Sequence, residues 1–464
     1  MNDVMLPVEA AVWPLGLAAP VLSGIRPDVV ADRNDMPRLE PGLAPPCAVP
    51  LWRLECADGQ PIDARGLLAR YWHRRPYAVT LRLACYPPTS TVAEILDEVT
   101  IGTTGSWNDF RASVDRMAMR LVKDAVQGGS RGPSADAPAV APSGPTGWLQ
   151  RWRRTWRDRL TSEWWSLGSV DAPPEAMLSD ALLRDIRWYA PQAGERYLAD
   201  PFPHPGTGTI LCEEMPRIGG IGRIVAVTRA GDRRCPSDLC PSDLCPSDLC
   251  PSDLPVLDDG LHHSYPCTFA AGETVYCVPE TSIRGGTLVH ILSPDRRLTP
   301  IAEVAPDARL ADPTLFRYQD KWWIACTDLD IGPHDNLCLL HALSPEGPWR
   351  RHDKWPVKID VRGSRPAGSV VMIGGRLIRP AQDCAEGYGA AIALNEVMCL
   401  TETTFREVRI GTLRPDPNGP FPNGLHTLTH DGERFWVDGK RIVFDLAGKL
   451  DRKLSLARRG RKEH

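Results

Sequence analysis

Asp200 and Asp312 each stand directly before a proline at the head of an apolar run, Asp200-Pro201-Phe202 and Asp312-Pro313-Thr314. The first run ends on Glu213-Glu214 and the second on Asp328. Two related runs open on Tyr265-Pro266-Cys267 and Arg365-Pro366-Ala367 and end on Glu280 and Asp383. Proline fixes its own φ and biases the residue before it towards an extended backbone. Each aspartate side chain therefore leaves the chain in a set direction. Carboxylates fixed in this way across a cleft can divide proton transfer between them, one accepting and the other donating or tuning its neighbour. Glycosidic chemistry needs that arrangement. A lone Asp-Pro is an ordinary turn element, but two at equivalent places, each followed by closing acids, point to a site.

The spacing dictates what must position these groups. Between opening and closure the chain reads as two strands and a turn, most clearly in Thr314-Leu-Phe-Arg, Gln319-Asp320-Lys321 and Trp322-Trp-Ile-Ala-Cys. A hairpin brings the start of its first strand and the end of its second to one edge, so each opening residue should meet its closing acid. A fifth, weaker copy runs from Leu425-His426-Thr427 to Asp438. Repeats of about 45–60 residues suggest radial blades whose polar ends converge on one carboxylate-rich mouth. The expected fold is mainly β: a five-bladed β-propeller over residues 164–445, preceded by a small α+β domain over 46–132.

The remaining segments divide as follows. Residues 1–45 are rich in Pro, Ala and Gly and are expected to be poorly ordered, and 133–147 has linker composition. In the small domain, the segments beginning at Val49 and Ala78 alternate like strands, and Asn108 is placed to cap a helix through Phe110, Val114, Met117 and Leu121. Residues 148–163 read as a basic helix carrying Trp148, Trp152 and Trp156 on one stripe. That stripe fits a membrane surface or a protein partner, and equally a helix packed on its own domain. The segments at Glu163-Trp-Trp-Ser-Leu-Gly and Ile186-Arg-Trp-Tyr read as strands, one of which should pair with the last blade and close the ring. Residues 235–254 are four identical copies of Cys-Pro-Ser-Asp-Leu. Their cysteines could hold zinc, but identity at every position favours an expanded loop insertion. Residues 446–464 form a basic tail.

Composition narrows the function. The 464 residues carry a net charge of −4, which gives no general polyanion-binding surface and no reason to expect a nucleic-acid partner. There is no apolar run of about 18 residues, the N-terminus is acidic where a secretion signal is basic, and Cys212, Cys277, Cys326 and Cys338 sit singly in strand-like runs. These features lead us to expect a cytoplasmic protein with reduced thiols and neither cofactor nor metal.

The runs Tyr197-Leu-Ala-Asp-Pro-Phe and Ala311-Asp-Pro-Thr-Leu-Phe, with Trp322-Trp-Ile-Ala between later elements, resemble the five-bladed propellers of family 43 glycoside hydrolases and the arabinanase–levansucrase–invertase group. More closely, His263-Ser-Tyr-Pro, Val278-Pro-Glu, Ser364-Arg-Pro-Ala-Gly, Arg379-Pro-Ala-Gln-Asp-Cys and Gly424-Leu-His-Thr-Leu resemble the N-terminal propeller region of glucosamine inositolphosphorylceramide transferases and bacterial relatives. The hydrolase resemblance implies Asp200 as general base and Asp312 as the carboxylate that tunes the acid. It fails at the third member, because the fourth opening carries Arg365, which stays protonated at any working pH. Either Glu280 or Asp383 has taken over the acid role, or the site does something other than hydrolysis. Arg365, Arg379 and His426 beside acids would suit a phosphorylated or lipid-linked sugar, since guanidinium grips phosphate bidentately. The candidate catalytic residues are thus Asp200, Asp312, Glu280 and Asp383. The candidate ligand-binding residues are Glu213, Glu214, Tyr265, Asp328, Arg365, Arg379, Gln382, Tyr388 and His426. Three functions remain open: a propeller of glycan or glycolipid biosynthesis that binds or transfers a sugar, sugar phosphate or glycolipid; a glycoside hydrolase with a displaced acid; and a non-catalytic sugar-binding propeller.

Overall fold

The computed structural model describes residues 51–132 and 160–445 with interruptions, the longest at 230–248. The Trp148–Trp156 stripe, most of the pentapeptide tract, the N-terminal 45 residues and the basic tail lie outside the described residues. The chain divides into two compact units, Met1–Arg151 and Trp152–His464.

The first unit holds a three-stranded antiparallel sheet, Leu51–Cys56, Ala78–Tyr86 and Glu94–Gly102, with helices Ala64–Trp72 and Trp107–Val126. The second helix buries Phe110, Val114, Met117 and Leu121, the stripe read from the sequence. Its cap is Ser106 rather than Asn108. The Ser106 hydroxyl accepts the Asp109 N–H at 3.2 Å, and Asp109 Oδ2 accepts the Ser106 N–H at 3.0 Å. This reciprocal pairing satisfies two end groups at once, which Asn108, already inside the helix, cannot do.

The second unit is mainly β and propeller-like. Its described strands form antiparallel sheets in chain order. The first comprises Arg196–His204, Thr209–Pro216, Arg223–Arg229 and Leu249–Pro251; the second comprises Ser264–Ala271, Thr274–Glu280, Thr287–Leu292 and Leu298–Val304. The third is built on Leu310–Tyr318, Lys321–Asp328 and Asn336–Ala342, and the fourth on Val371–Ile373, Arg376–Asp383, Ala391–Leu400 and Phe405–Leu413. The last sheet joins Leu428–His430 and Arg434–Phe444 to Thr161–Asp171 and Arg187–Trp188. The expected closing strand is thus Thr161–Asp171, which pairs with Arg434–Phe444 along its whole length, from Phe444↔Thr161 to Arg434↔Asp171. It also begins at Thr161, so the last three residues of the expected 148–163 helix are strand. Leu249–Pro251, from the pentapeptide tract, supplies an edge strand to the first sheet.

Each sheet packs on the next through alternating apolar residues. Leu211 and Ile224 meet Cys277 and Leu292 between the first and second sheets, and Val278 meets Leu315 and Ile324 between the second and third. Phe316 and Trp323 meet Leu377 and Leu400 between the third and fourth, and Ile378 and Ile392 meet Leu428 and Phe435 between the fourth and fifth. Leu167 and Trp436 meet Ile210 and Val225, returning the last sheet to the first. Cys212, Cys277, Cys326 and Cys338 are buried in these layers, and none of them forms a disulfide.

Candidate active site: an acid cluster at the strand openings

The opening and closure of each copy meet as hairpin geometry requires. Ala199 pairs with Glu213, Ser264 with Glu280 and Leu310 with Asp328; the Gln382 N–H donates to Arg365 O at 2.7 Å beside Asp383. The backbone at the openings is not extended. Asp200, Tyr265 and Asp312 have φ of 55°, 46° and 49°, and the strand register slips across each X-Pro pair. A bulge with its first residue left-handed has overridden the pre-proline preference. Such backbone costs on the order of 1–3 kcal/mol per residue and persists only where surroundings hold it.

What holds it is a set of carboxylates from neighbouring sheets. Asp438, the closing acid of the fifth copy, accepts the Asp200 N–H at 3.0 Å, and Glu280 accepts the Asp312 N–H at 2.9 Å. The Tyr265 N–H turns instead to Asp200 Oδ2 at 3.2 Å. Two closing acids, Asp438 and Glu280, therefore brace the next sheet's opening, and the same geometry draws these acids together.

Two ion-paired centres result. In the first, Arg365 forks onto Asp312, Nε to Oδ2 at 2.6 Å and Nη2 to Oδ1 at 3.2 Å, while its Nη1 donates to Pro333 O at 2.7 Å. The Gln382 amide donates to Asp312 Oδ2 at 2.7 Å and to Pro366 O at 3.0 Å. In the second, His426 lies between Asp438 and Asp200, with Nδ1 2.5 Å from Asp438 Oδ2 and Nε2 3.5 Å from Asp200 Oδ1. Thr427 Oγ1 donates to Asp200 Oδ1 at 2.8 Å. Trp165 stacks on the imidazole with centroids 4.0 Å apart, and Tyr388 meets it edge-on at 5.2 Å while covering the Arg365 guanidinium at 4.9 Å. Lys440 Nζ sits 5.2 Å over Trp165 and bonds Glu163.

Burial sets the proton affinities. It raises the Asp200 carboxyl to about 6, with His426 pulling it down and Asp438 and Asp312 pushing it up. Burial raises Glu280 to about 8, helped by Asp312 and opposed by Arg365. Glu213 is pushed well above its usual range by burial and then by Asp200 and Glu280. Burial disfavours charge on His426, but Asp438 and Asp200 outweigh it and raise its pKa. Near neutral pH the cluster thus contains an ionised Asp200 and a protonated Glu280.

The structure brings together Asp200, Asp312, Glu280, Glu213, Arg365, Gln382, Tyr388 and His426, and separates out the rest of the expected set. Arg379 is 2% exposed and committed to Glu407 at 2.6 and 2.8 Å and to the carbonyls of Gly363 and Ser364, so it braces the fourth sheet rather than gripping a ligand. Glu214 faces the other side of its strand from Glu213, as alternation demands, and pairs with Arg196 and Arg223. Asp328 accepts Trp355 Nε1 and the Asp330 N–H, and Asp383 accepts the Ala385 N–H and faces Arg409, so both tie down their own loops. Tyr265 is fully buried within the apolar core, its hydroxyl bonded to Thr314 Oγ1 and the Gly368 N–H. Arg365 is 7% exposed, and its Nε, Nη1 and Nη2 each donate within the protein, to Asp312 and Pro333 O.

The reading by motif missed Asp438 and Trp165 as members of the site. Asp438 was legible, since it holds the closing-acid position of the fifth copy. Trp165 was not, because it reaches His426 only through the closing strand. Asp200, His426 and Asp438 bring ligating atoms within 4.8 Å of one another. The Asp438 oxygens already accept the N–H groups of Asp200, His426 and Thr427 as well as the imidazole. The trio is therefore an ion-paired network and not a cation cage. Among the described residues no helix is long and apolar enough to cross a membrane.

Residues 254–418 match the family model described as glucosamine inositolphosphorylceramide transferase 1, N-terminal. The chain is 28% identical over 159 residues to the glucosamine inositolphosphorylceramide transferase 1 proteins of Oryza sativa subsp. indica and of Arabidopsis thaliana; this covers 33% of this chain and 21% of each relative. The match thus spans about a fifth of the length of those curated relatives. Among solved structures, the chain is similar to the sucrose-6-phosphate hydrolase of Lactobacillus gasseri (11% identity, TM-score 0.35, 54% of this chain and 59% of that one). It is also similar to CoXyl43, a β-xylosidase/α-arabinofuranosidase of glycoside hydrolase family 43 from a compost microbial metagenome (14% identity, TM-score 0.35, 54% and 93%). The closer of the two resemblances read from the sequence, to the N-terminal region of the glucosamine inositolphosphorylceramide transferases, is the one that the family model and the curated relatives share.

Proposed function

We infer that the second unit is a five-bladed propeller of glycan or glycolipid assembly that binds or transfers a sugar at the converging strand openings. The observation that carries this reading is the acid–base division within one buried cluster. Asp312 is neutralised by Arg365 and Asp438 by His426, which leaves Asp200 as the ionised acceptor and Glu280, with Glu213, as protonated donors. Such a site accepts protons from hydroxyl or ammonium groups of a sugar, while Tyr388 offers a half-buried aromatic face. Because Arg365 is engaged, any phosphate of the ligand would lie outside the cluster. The likeness to the N-terminal region of a glucosamine inositolphosphorylceramide transferase supports sugar as the ligand class. A melting-shift screen over nucleotide sugars, sugar phosphates, free amino sugars and oligosaccharides tests the reading. A stabilising sugar should lose its effect in Asp200→Asn, and a shift by phosphate alone, or by no sugar at all, would refute it.

Glycoside hydrolysis is the second reading, favoured by Glu280, which is protonated at neutral pH and so able to replace the acid that Arg365 displaced. It requires release of reducing sugar that Glu280→Gln abolishes.

A further inference from the structure

We propose that His426 is a positioning residue for Asp200: clamped by Asp438, it is a permanent buried imidazolium that keeps the Asp200 carboxylate ionised and aimed. This deepens the sugar reading above and rests on it for its purpose, though not for its test.

The hydrogen bonds allow only one protonation pattern. Asp438 Oδ1 accepts the N–H groups of His426 and Thr427 at 3.0 and 2.9 Å, and Oδ2 accepts the Asp200 N–H at 3.0 Å. A carboxylate receiving that many donors stays ionised. Its fourth partner, His426 Nδ1 at 2.5 Å, must then carry a proton. The other nitrogen, Nε2, faces Asp200 Oδ1 at 3.5 Å. A bare lone pair there would point at a carboxylate oxygen, whereas an N–H points at its natural acceptor, so both nitrogens are donors. The ring cannot turn away, because Trp165 stacks on one face, Tyr388 abuts its edge, and a Cβ on Gly389 would come within 2.7 Å of the His426 Cβ.

The groups that face the pair from each packed element agree with this state. The strand Arg434–Phe444 contributes Asp438 and Lys440, the latter held over Trp165 and Tyr388 and tied to Glu163. Asp200 comes from Arg196–His204, and Asp312 from Leu310–Tyr318 carries its own counter-ion, Arg365. Thr427 contributes a neutral hydroxyl to Asp200 Oδ1, and Glu213 from Thr209–Pro216, which burial and Asp200 push well above its usual range, adds no second negative charge. Two carboxylates therefore share one imidazolium, and removing the imidazolium leaves Asp200 buried beside Asp438 without a cation. The raised proton affinity of His426 is consistent with this balance.

The test needs no sugar. In the full chain labelled with ¹⁵N-histidine, both His426 nitrogens should remain in the protonated range from pH 5 to beyond pH 7, above the usual midpoint of about 6.5. Asp200→Asn should lower that midpoint by about one pH unit or more. In ¹³C-aspartate protein, the Asp200 carboxyl, expected near 6, should move up by a similar amount in His426→Gln. A neutral imidazole at pH 6.5 in the unaltered protein would overturn the proposal even if the variants do not fold. So would an Asp200 midpoint indifferent to His426→Gln. If these titrations hold and no sugar shifts the melting temperature, the positioning role of His426 stands and the sugar reading falls.

Discussion

Arg365→Ala removes the partner of a buried carboxylate. The Arg365 and Asp312 side chains are 9% and 4% exposed, so water cannot screen the loss. Three charge-assisted bonds disappear, at 2.6 and 3.2 Å to Asp312 and 2.7 Å to Pro333 O, and Asp312 keeps the neutral Gln382 amide. Breaking a buried pair from one side costs about 3–5 kcal/mol, because the surviving charge stays buried. That is a large share of the roughly 5–15 kcal/mol by which domains are stable. Urea unfolding followed by tryptophan fluorescence reads it as a lower midpoint at unchanged slope. Arg365→Lys should fall between, since an ammonium lacks the planar fork. Arg365→Met combined with Asp312→Asn should recover most of the loss, because no lone charge remains. A cost below about 1 kcal/mol for Arg365→Ala would place the pair among screened surface bridges and return Arg365 to the role of an anion grip.

Raised carboxyl groups make the folded state bind more protons than the unfolded chain, so stability should fall as pH rises through the window between the two values. For Glu280 that window runs from the unfolded value of about 4.3 to about 8, with a slope of up to about 1.4 kcal/mol per pH unit. Glu280→Gln should flatten the fall above pH 6, where Asp200 no longer contributes, and a slope unchanged there would contradict the burial argument. Gly368 has φ +102°, and a Cβ on it would lie 2.0 Å from Leu428 O, at the bridge joining the fourth and fifth sheets. Gly368→Ala should therefore cost more than about 4 kcal/mol or prevent soluble folding, whereas Gly374→Ala, with nothing within 4 Å, should cost about 1–2 kcal/mol. Deleting Cys235–Leu244 leaves the Leu249–Pro251 edge strand in place and should change the melting temperature little, since the length of chain between two paired strands enters closure entropy only logarithmically. Extending the deletion through Leu254 should lower it, because the edge strand goes too.

Local chemistry made much of this protein legible. The X-Pro openings and closing acids, at hairpin spacing, were enough to foresee that Asp200 faces the Glu213 end of its hairpin, that the Arg365 opening lies beside the Asp383 end of its own, and that a strand before the first repeat pairs with the last. These follow from β alternation and antiparallel pairing, which are properties of short segments. The sequence also carried the fifth closing acid, Asp438, in plain sight. Which charges pair was another matter. Arg365 and Arg379 look alike in the chain, each heading an Arg-Pro pair. Yet one lands on Asp312, 53 positions away, and the other on Glu407, 28 positions away. Asp200 meets His426 across more than 200 positions, and the left-handed bulge that aims it defies the local preference of a residue before proline. Pairing of buried charges depends on which sheets touch and how far each strand slips at its bulge. Both are set by the packing of whole sheets around one another, so only the tertiary structure decided which acid pairs with which cation and which acids tie down their own loops.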